Sequence, residues 1–337
     1  LREMLMRKIN GVPVEAHTDL SSLTGGEVLK WSGTNMAWED QDSTGFVPFH
    51  FHNASNSGFG VAGYTGSASN VIDKFSFTSN TTASDHGDLT TSYFGYAGNS
   101  SSTDGFVAGL SGTNTIEKFS FTSNVTASDH GDLSQSRASL AGHSSTSDGY
   151  NSGGYTSGDS NVIDKFAWSS NTTASDHGDL SVARTAVAGQ SSSTHGYTSG
   201  GQDPLTNTIE KFAFSSNTTA SDHGDLSQAR RYSSGQSSTD YGFTSGGYTT
   251  NDYNIQTTID KFAWSSNTTA TDHGDLNTAT MYSGGSSSSD YSFVLGGSDS
   301  DVSWTDRIDK FAHSSNVTAT DHGDLSASRA YVAGCQY

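Results

Sequence analysis

The 337-residue sequence has little positive charge, few apolar residues and no long apolar run. Its 16 Lys and Arg residues face 35 Asp and Glu residues, which gives a formal net charge of −19 and disfavours nucleic acid as a partner. No apolar stretch reaches the ~18 residues of a membrane span, and residues 1–17 lack the apolar core of a signal peptide. Only 31% of residues are hydrophobic and no segment sustains a 3.6-residue period, so helices are not expected.

A repeated motif dominates what is present. The inner sequence DHGDL begins at Asp85, Asp129, Asp176, Asp222, Asp272 and Asp321, with spacings of 44, 47, 46, 50 and 49 residues. A period of this length indicates units that bury their apolar surface against copies of themselves. Short runs such as NVIDKFAWSS and RTAVAG, bounded by Gly, Asn and Ser, are typical of strands. Aromatic residues recur at fixed points of the period, which indicates an ordered all-β repeat protein rather than a disordered chain.

One unit, residues 134–180, divides into four strands, as in an antiparallel propeller blade. An open ring of such blades would expose a sheet edge. We therefore predict that the C-terminal SRAYVAGCQY supplies the inner strand of the first blade and closes a six-bladed β-propeller over residues 46–337. A count of seven inner strands follows if FVPFHFHN, residues 46–53, is included. Residues 1–45 form a separate N-terminal segment for attachment or oligomerisation.

The units resemble the kelch repeat. The resemblance lies in GDLSVAR, YTSGGQ and IEKFAF: a leucine-turn-arginine entry, a double glycine, and an aromatic pair. It covers roughly residues 46–337, although the first two units have Ala62-Gly63 and Ala108-Gly109 in place of the double glycine. The resemblance implies a propeller of four-stranded blades.

The DHGDL motif is predicted to be structural. Asp suits the capping of backbone amides, as expected for Asp132, Gly supplies a positive φ, and Leu fills the gap between blades. The alternative is a weak cation site, although the spacing matches neither calcium nor zinc loops. In the I-D/E-K-F strand, Asp164 and Lys165 point to opposite faces, and we expect either ion pairs across blade boundaries or two solvent-exposed side chains.

No sequence motif for catalysis is present, and we predict no enzyme activity, cofactor or metal. The kelch family includes copper oxidases, but Cys335 takes the same strand position as His143 and Gln190, so we interpret it as a strand residue. His50 and His52 fit an alternating edge strand better than a ligand pair. The repeated Asn-X-Ser/Thr sequences are interpreted as turns, the alternative being glycan acceptors in a secreted protein.

The N-terminal GGEVLKWSGTNMAWEDQ, residues 25–41, predicts a small hairpin whose Trp31 and Trp38 need a partner chain to cover them. It resembles the GxVLxWNGTxW segments of bacteriophage tail-fibre and appendage proteins. This resemblance implies a protein on the virion surface, outside the cell, attached to other virion proteins or to copies of itself. Alternatives are a secreted or cell-surface carbohydrate-binding propeller, an intracellular kelch scaffold and an oxidase.

The predicted binding surface is the face onto which the loops between second and third strands open, because only these loops vary strongly. Aromatic rings beside carboxylates suit sugars, which indicates a host-surface glycan as the ligand. The alternative is that these loops pack on the N-terminal segment or on a neighbouring subunit. The candidate glycan-contacting residues are Tyr248, Asp252, Tyr253, Trp304 and Asp306.

Overall fold

In the computed structural model, residues from 56 onward form six four-stranded antiparallel sheets arranged in a ring, as predicted. The structure describes residues 56–95, 97–109, 113–249, 254–299 and 303–336 in full, together with the backbone of strands at 8–9, 12–13, 27–31 and 36–40. Within these residues no helix is long and apolar enough to cross a membrane. Each blade has an inner, a second, a third and an outer strand.

The blades follow one another along the chain. From inner to outer strand they are Ala333–Gln336, Ser57–Tyr64, Ala68–Ser76 and Ser84–Tyr93 for blade one; Ala97–Ser100, Asp104–Ala108, Thr115–Ser120 and Ser128–Asp132 for blade two; Ala141–Ser144, Asp148–Ser152, Val162–Ala167 and Ser175–Asp179 for blade three; Ala188–Ser191, His195–Ser199, Thr208–Ala213 and Ser221–Asp225 for blade four; Ser234–Ser237, Tyr241–Ser245, Thr258–Ala263 and Thr271–Asp275 for blade five; and Gly284–Ser287, Tyr291–Leu295, Arg307–Ala312 and Thr320–Asp324 for blade six.

The C-terminal strand closes the ring inside blade one, which confirms the predicted closure. Cys335 pairs with Phe59 and Ala333 pairs with Val61 in an antiparallel ladder. Both ends of the propeller therefore share one sheet, and no free sheet edge remains where the ring meets itself. The seventh strand considered for residues 46–53, with His50 and His52, lies outside the described residues.

The chain divides into two compact units, Leu1–Pro48 and Phe49–Tyr337. In the first unit Glu27–Trp31 pairs with Met36–Asp40 as an antiparallel hairpin, and Leu29 stands opposite Trp38. A hairpin was expected here. Trp31 and Trp38 lie on its two strands, and their side chains are outside what the structure describes.

The DHGD part of the repeated motif forms the outer strand itself and locks each blade to the next. The first Asp accepts a hydrogen bond from the N–H of the Gly two residues later, as Asp129 does from Gly131 at 3.3 Å. That glycine has a φ of 102°, as predicted, and the Leu that follows the motif is buried in all six copies. The cap therefore belongs to Asp129 and not to Asp132, because the two-residue reach of an Asx turn fits only the first acid.

The histidine of the motif has a role that the sequence did not reveal. His130 Nε2 donates to the carbonyl of Ala167 in the next blade at 2.9 Å. The equivalent bond occurs in every blade. His322 closes the circle, because its Nε2 donates to the backbone carbonyl of Ser76 in blade one at 2.8 Å. Because the imidazole already serves as a clamp between blades, the motif has a structural use in each copy. Among the described residues no three His, Cys, Asp or Glu side chains are grouped to hold a metal ion.

The buried acid of the third strand pairs with an arginine and not with the neighbouring lysine. Asp164 and Arg137 are both buried, and their side chains are 2.7 Å apart. Arg137 also donates to the carbonyls of Gly153 and Val162, so its charge is compensated where it lies. Lys165 reaches Asp148 at 3.3 Å in a partly exposed pair. Both expectations for the acid were thus wrong, because only the forked guanidinium can satisfy a carboxylate and several carbonyls together.

Equivalent buried pairs occur in three more blades, at 2.6 to 2.7 Å: Arg184–Glu210, Arg230–Asp260 and Arg329–Asp73.

Polar residues occupy the inner-strand position that faces the next blade. His143 is buried, and its Nε2 lies 2.8 Å from Ser152 Oγ while Nδ1 lies 3.0 Å from the carbonyl of Gln190. Burial lowers the pKa of His143 to about 4. Cys335 occupies the same position in blade one, as predicted, and burial raises the pKa of its thiol to about 12.

Candidate functional site

At one end of the central channel six residues form a closed circle of backbone hydrogen bonds. Each lies three positions before the central glycine of its inner strand and six positions after the Leu of the DHGDL motif. Its N–H donates to the carbonyl of the equivalent residue in the preceding blade, over distances of 2.6 to 3.5 Å. We call this set the mouth ring; its members are Gly95, Ser139, Ala186, Tyr232, Tyr282 and Tyr331.

Every member of the mouth ring has a positive φ. The values for the five members other than Gly95 lie between 53° and 59°, a region that residues with a side chain seldom adopt. The circle of hydrogen bonds holds this conformation, and such outliers are concentrated at functional sites. Because the circle uses backbone atoms only, its side chains are free to differ between blades.

A buried arginine supports the mouth ring from below in four of the six blades. It lies two positions before the ring residue, as Arg230 does before Tyr232. Arg230 donates to Asp260 at 2.7 Å, and the same carboxylate accepts the backbone N–H of Ser227 in the preceding turn at 3.0 Å. The turn that carries the mouth ring is therefore tied to the third strand of its blade.

The tyrosines of the mouth ring belong to a continuous series of aromatic rings. Tyr282 stacks on Tyr331 with ring centroids 4.1 Å apart and meets Tyr232 edge-on at 4.5 Å. The series continues to Tyr248 at one end, at 5.8 Å from Tyr232. At the other end Phe94 lies 5.4 Å from Tyr331.

Two further contacts complete the series at the Phe94 end. Tyr64 meets Phe94 at 5.2 Å, and Trp304 meets Tyr64 at 5.1 Å with the two rings perpendicular. Phe94 is 41% exposed, while Tyr248 is buried. We call these seven rings the aromatic arc: Trp304, Tyr64, Phe94, Tyr331, Tyr282, Tyr232 and Tyr248.

A cation borders the Tyr248 end of the arc. The guanidinium of Arg231 lies 4.6 Å from the centre of the Tyr248 ring, within the range of a cation–π contact. Arg231 also donates to the side chain of Gln202 in blade four. Burial raises the pKa of Tyr282 above its usual value, and its phenol is hydrogen-bonded to neighbouring tyrosines of the arc, Tyr248 and Tyr331.

The mouth ring borders an open cavity of about 80 Å³. Tyrosines line one half of it, and Gly95, Ser139 and Ala186 line the other half with little side-chain volume. The residues that directly follow the ring add three buried apolar side chains and two hydroxyls. These are Leu140, Val187, Val332, Ser233 and Ser283.

The structure brings together part of the residue set that the sequence predicted. Tyr248 and Trp304 stand at opposite ends of the aromatic arc, in contact with Tyr232 and Tyr64 respectively. Asp306 is half-buried. The pKa of Asp324 is raised, first by the burial of Asp324 and next by the negative charge of Asp306. Asp252 and Tyr253 lie outside the described residues.

Sequence reasoning missed the centre of the arc. Tyr232, Tyr282 and Tyr331 were counted with the first strands and not considered as a surface. A signal was present, because Tyr recurs three residues before the inner-strand glycine in the last three repeats and in none of the first three. Phe94 lies one residue before the mouth ring in its own repeat.

The opposite end of the channel is built from nearly identical residues. Backbone N–H groups there donate to side-chain oxygens of the next blade, as Ser144 does to Ser191 Oγ at 3.0 Å. This second circle also closes, through Gln336 donating to Ser100 at 3.1 Å. Its cavity measures about 180 Å³ and is lined mainly by Ser and Gly. We call this set the serine ring; its members are Ser100, Ser144, Ser191, Ser237, Ser287 and Gln336.

No protein-family model matches the chain, and a search of curated proteins finds no match.

Proposed function

We propose that this protein is a non-enzymatic surface protein of a bacteriophage virion, a tail fibre or capsid decoration, whose propeller attaches the particle to a glycan of the host surface. The observation that carries the proposal is the aromatic arc. Aromatic rings stack on the apolar C–H faces of sugars, while phenol groups exchange hydrogen bonds with their hydroxyls. The arc offers both kinds of contact around one cavity.

The rigidity of the arc supports a binding role. Its three central tyrosines sit on a backbone that is fixed by a closed circle of hydrogen bonds, and buried Arg–acid pairs support two of them, Tyr232 and Tyr331. A surface that is ordered before its ligand arrives loses less entropy on binding, which favours affinity. The half-buried rings remain partly accessible, and Phe94 is 41% exposed.

The N-terminal unit supports the virion part of the proposal. Its sequence resembles segments of phage appendage proteins, and its backbone forms a hairpin at 27–31 and 36–40. We propose that Trp31 and Trp38 contact other virion proteins or another copy of the chain. The propeller itself is similar to kelch repeats, and its acidic surface suits an extracellular protein without nucleic-acid partners.

The proposal is tested by adsorption of particles that carry the full-length chain with Tyr282→Ala and Trp304→Ala. We expect at least tenfold weaker adsorption to host cells with normal particle assembly, because the rings contact the receptor and not the particle. Tyr155→Ala is the matched control, since Tyr155 is 51% exposed and lies outside the arc. Unchanged adsorption would refute the binding role, and failed assembly would show that the arc packs on another subunit.

A second pair of variants separates the virion protein from a secreted or cell-surface carbohydrate-binding propeller. Trp31→Ala with Trp38→Ala should prevent incorporation of the chain into particles while leaving the glycan binding of the purified protein unchanged. A chain that is absent from particles even without these changes, but still binds glycans, would favour the secreted alternative.

A further inference from the structure

Charge is distributed unevenly between the two ends of the propeller. The loops between second and third strands lie at the same end as the mouth ring, because they are hydrogen-bonded to the turns that carry it. The N–H of Arg329, for example, donates to the carbonyl of Thr305 at 3.1 Å. The described residues of these loops include no Lys, Arg or His. They include four carboxylates, at Asp159, Asp203, Asp299 and Asp306.

The outer strands add six more carboxylates at the mouth-ring end. The second acid of each DHGD sequence stands opposite the beginning of the third strand, as Asp179 does opposite Val162. These acids are Asp88, Asp132, Asp179, Asp225, Asp275 and Asp324. The four buried arginines near this end are each paired with a buried Asp or Glu, and Arg307 is paired with Asp309, so their charges are already balanced.

Five of the six lysines of the propeller lie toward the end with the serine ring. Lys118 and Lys165 approach Asp104 and Asp148, which begin second strands at that end, at 3.8 and 3.3 Å. Three more donate to backbone carbonyls that directly follow third strands, at the same end: Lys74, Lys261 and Lys310. These lysines partly balance the acids there, so the mouth-ring end is the more negative one and attracts cations.

The faces of aromatic rings also attract cations, and the aromatic arc already holds one at its Tyr248 end. The guanidinium of Arg231 lies 4.6 Å from the centre of the Tyr248 ring. At the other end Trp304, Tyr64 and Phe94 are in contact and all partly exposed. Within the described part of the chain no Lys or Arg lies over these three rings. This end of the arc is therefore open to the cation of a ligand.

We propose that the glycan bound by the aromatic arc carries a protonated amine, and that this amine binds at the Trp304 end, against Trp304, Tyr64 and Phe94. Asp306 lies two residues after Trp304 in the same loop and adds negative charge there. A neutral sugar gains nothing from this charge, and a carboxylate-bearing sugar is repelled by it. This inference rests on the proposed function of the arc as a glycan site and adds the class of sugar, an amino sugar.

The test compares chitotriose, whose amines are free, with the neutral trisaccharides cellotriose and N,N′,N″-triacetylchitotriose. Isothermal titration calorimetry uses the full-length chain in slightly acidic buffer, where the amines carry a proton. We expect chitotriose to bind at least tenfold more tightly than either neutral sugar, and added salt should reduce the preference because it screens exposed charges. Equal binding of the three sugars, or a preference that salt leaves unchanged, would overturn the inference.

The decisive variant is Asp306→Lys, which reverses one charge beside the Trp304 end. Its matched control is Asp240→Lys, because Asp240 is exposed in the turn between first and second strands of blade five, at the opposite end. We expect Asp306→Lys to weaken chitotriose binding at least tenfold and to leave cellotriose binding and the melting curve unchanged. The control should bind both sugars as the unchanged chain does. An equal loss for chitotriose and cellotriose in Asp306→Lys would count against the role of charge.

The outcomes distinguish this inference from the proposed function. If the neutral sugars bind as tightly as chitotriose, the glycan site stands and the amine assignment fails. If none of the trisaccharides binds but Tyr282→Ala with Trp304→Ala still weakens adsorption, attachment stands and the amine assignment again fails. If chitotriose binds selectively while that pair of substitutions leaves adsorption unchanged, the amine site stands and its role in attachment fails.

Discussion

The two ends of the central channel are closed by the same number of hydrogen bonds but by different atoms. At the serine ring the acceptor is a side chain, and five of the six positions are Ser. At the mouth ring the acceptor is a backbone carbonyl, and the six side chains range from Gly to Tyr. A fold that closes through side chains restricts the residues that it uses. A fold that closes through its backbone leaves side chains available for binding.

The largest effect is expected from opening both circles at once. Deletion of residues 328–337 removes Tyr331 and Gln336, and also the inner strand of blade one. We expect no folded monomer, because blades two and six would each lose the inner strand of blade one against which they pack, and the second strand Ser57–Tyr64 would become an exposed edge. Size-exclusion chromatography with light scattering and circular dichroism measure this. Addition of the synthetic peptide SRAYVAGCQY should partly restore the fold; a soluble monomer with an unchanged melting curve would contradict the prediction.

Loss of a buried arginine beneath the mouth ring is expected to be the next largest effect. Arg230→Ala leaves the carboxylate of Asp260 buried without its cation, which typically costs about 3–5 kcal/mol of unfolding free energy. Lys165→Ala is the comparison, because the side chains of Lys165 and Asp148 are 32% and 16% exposed in their pair and water can reach both. Urea unfolding of both variants gives the two values. Equal costs would show that the buried pair does not hold the mouth ring.

His143 lies on an inner strand of the propeller, and its buried imidazole should make the stability of the fold depend on pH. The pKa of His143 is about 4 in the folded protein, because it is buried, against an ordinary value of about 6.5. Above pH ~6.5 the imidazole is neutral in both states, whereas between pH ~6.5 and 4 only the unfolded chain takes up the proton. The free energy of unfolding should therefore fall by roughly 3 kcal/mol as the pH drops through this window.

His143→Gln tests this dependence with the residue that blades four and five already carry at the same position, Gln190 and Gln236. Urea unfolding between pH 4 and pH 7 should show a clearly shallower pH dependence in this variant. His195→Gln is the control, because His195 is half-buried and its change should have less effect. A pH dependence that is identical in the unchanged chain and in His143→Gln would rule out this role.

The smallest and most direct test makes the same substitution in each ring. Ser191→Ala removes the acceptor of the Ser144 amide and should cost about 1–2 kcal/mol. Ser139→Ala leaves the hydrogen bonds of the mouth ring intact, since they use its backbone, and should change the unfolding free energy by less than about 0.5 kcal/mol. Equal values in urea unfolding would remove the distinction between the two ends.

Several features could be predicted from the sequence because they repeat. The positions of DHGDL set the period, the C-terminal strand without partners required closure in blade one, and the variable loops contain Tyr248 and Trp304, the two ends of the aromatic arc. Each of these three features is a local pattern or a count, and none of them requires knowledge of which side chains are in contact.

The partners of the repeated side chains could not be predicted in the same way. Asp164 could pair with Lys165 or with Arg137, and only the burial of both Asp164 and Arg137 decides for the arginine.

The sequence by itself determined six units, their strands, the closure of the ring and the face with the variable loops, because periodicity and turn residues act locally. The tertiary structure decided that one surface beside a cavity is formed by three tyrosines from successive blades: Tyr232, Tyr282 and Tyr331. In the chain Tyr232 and Tyr331 are far apart, and they meet only because the closed ring brings blades five, six and one side by side. Packing across blades, which no local pattern encodes, created the candidate site.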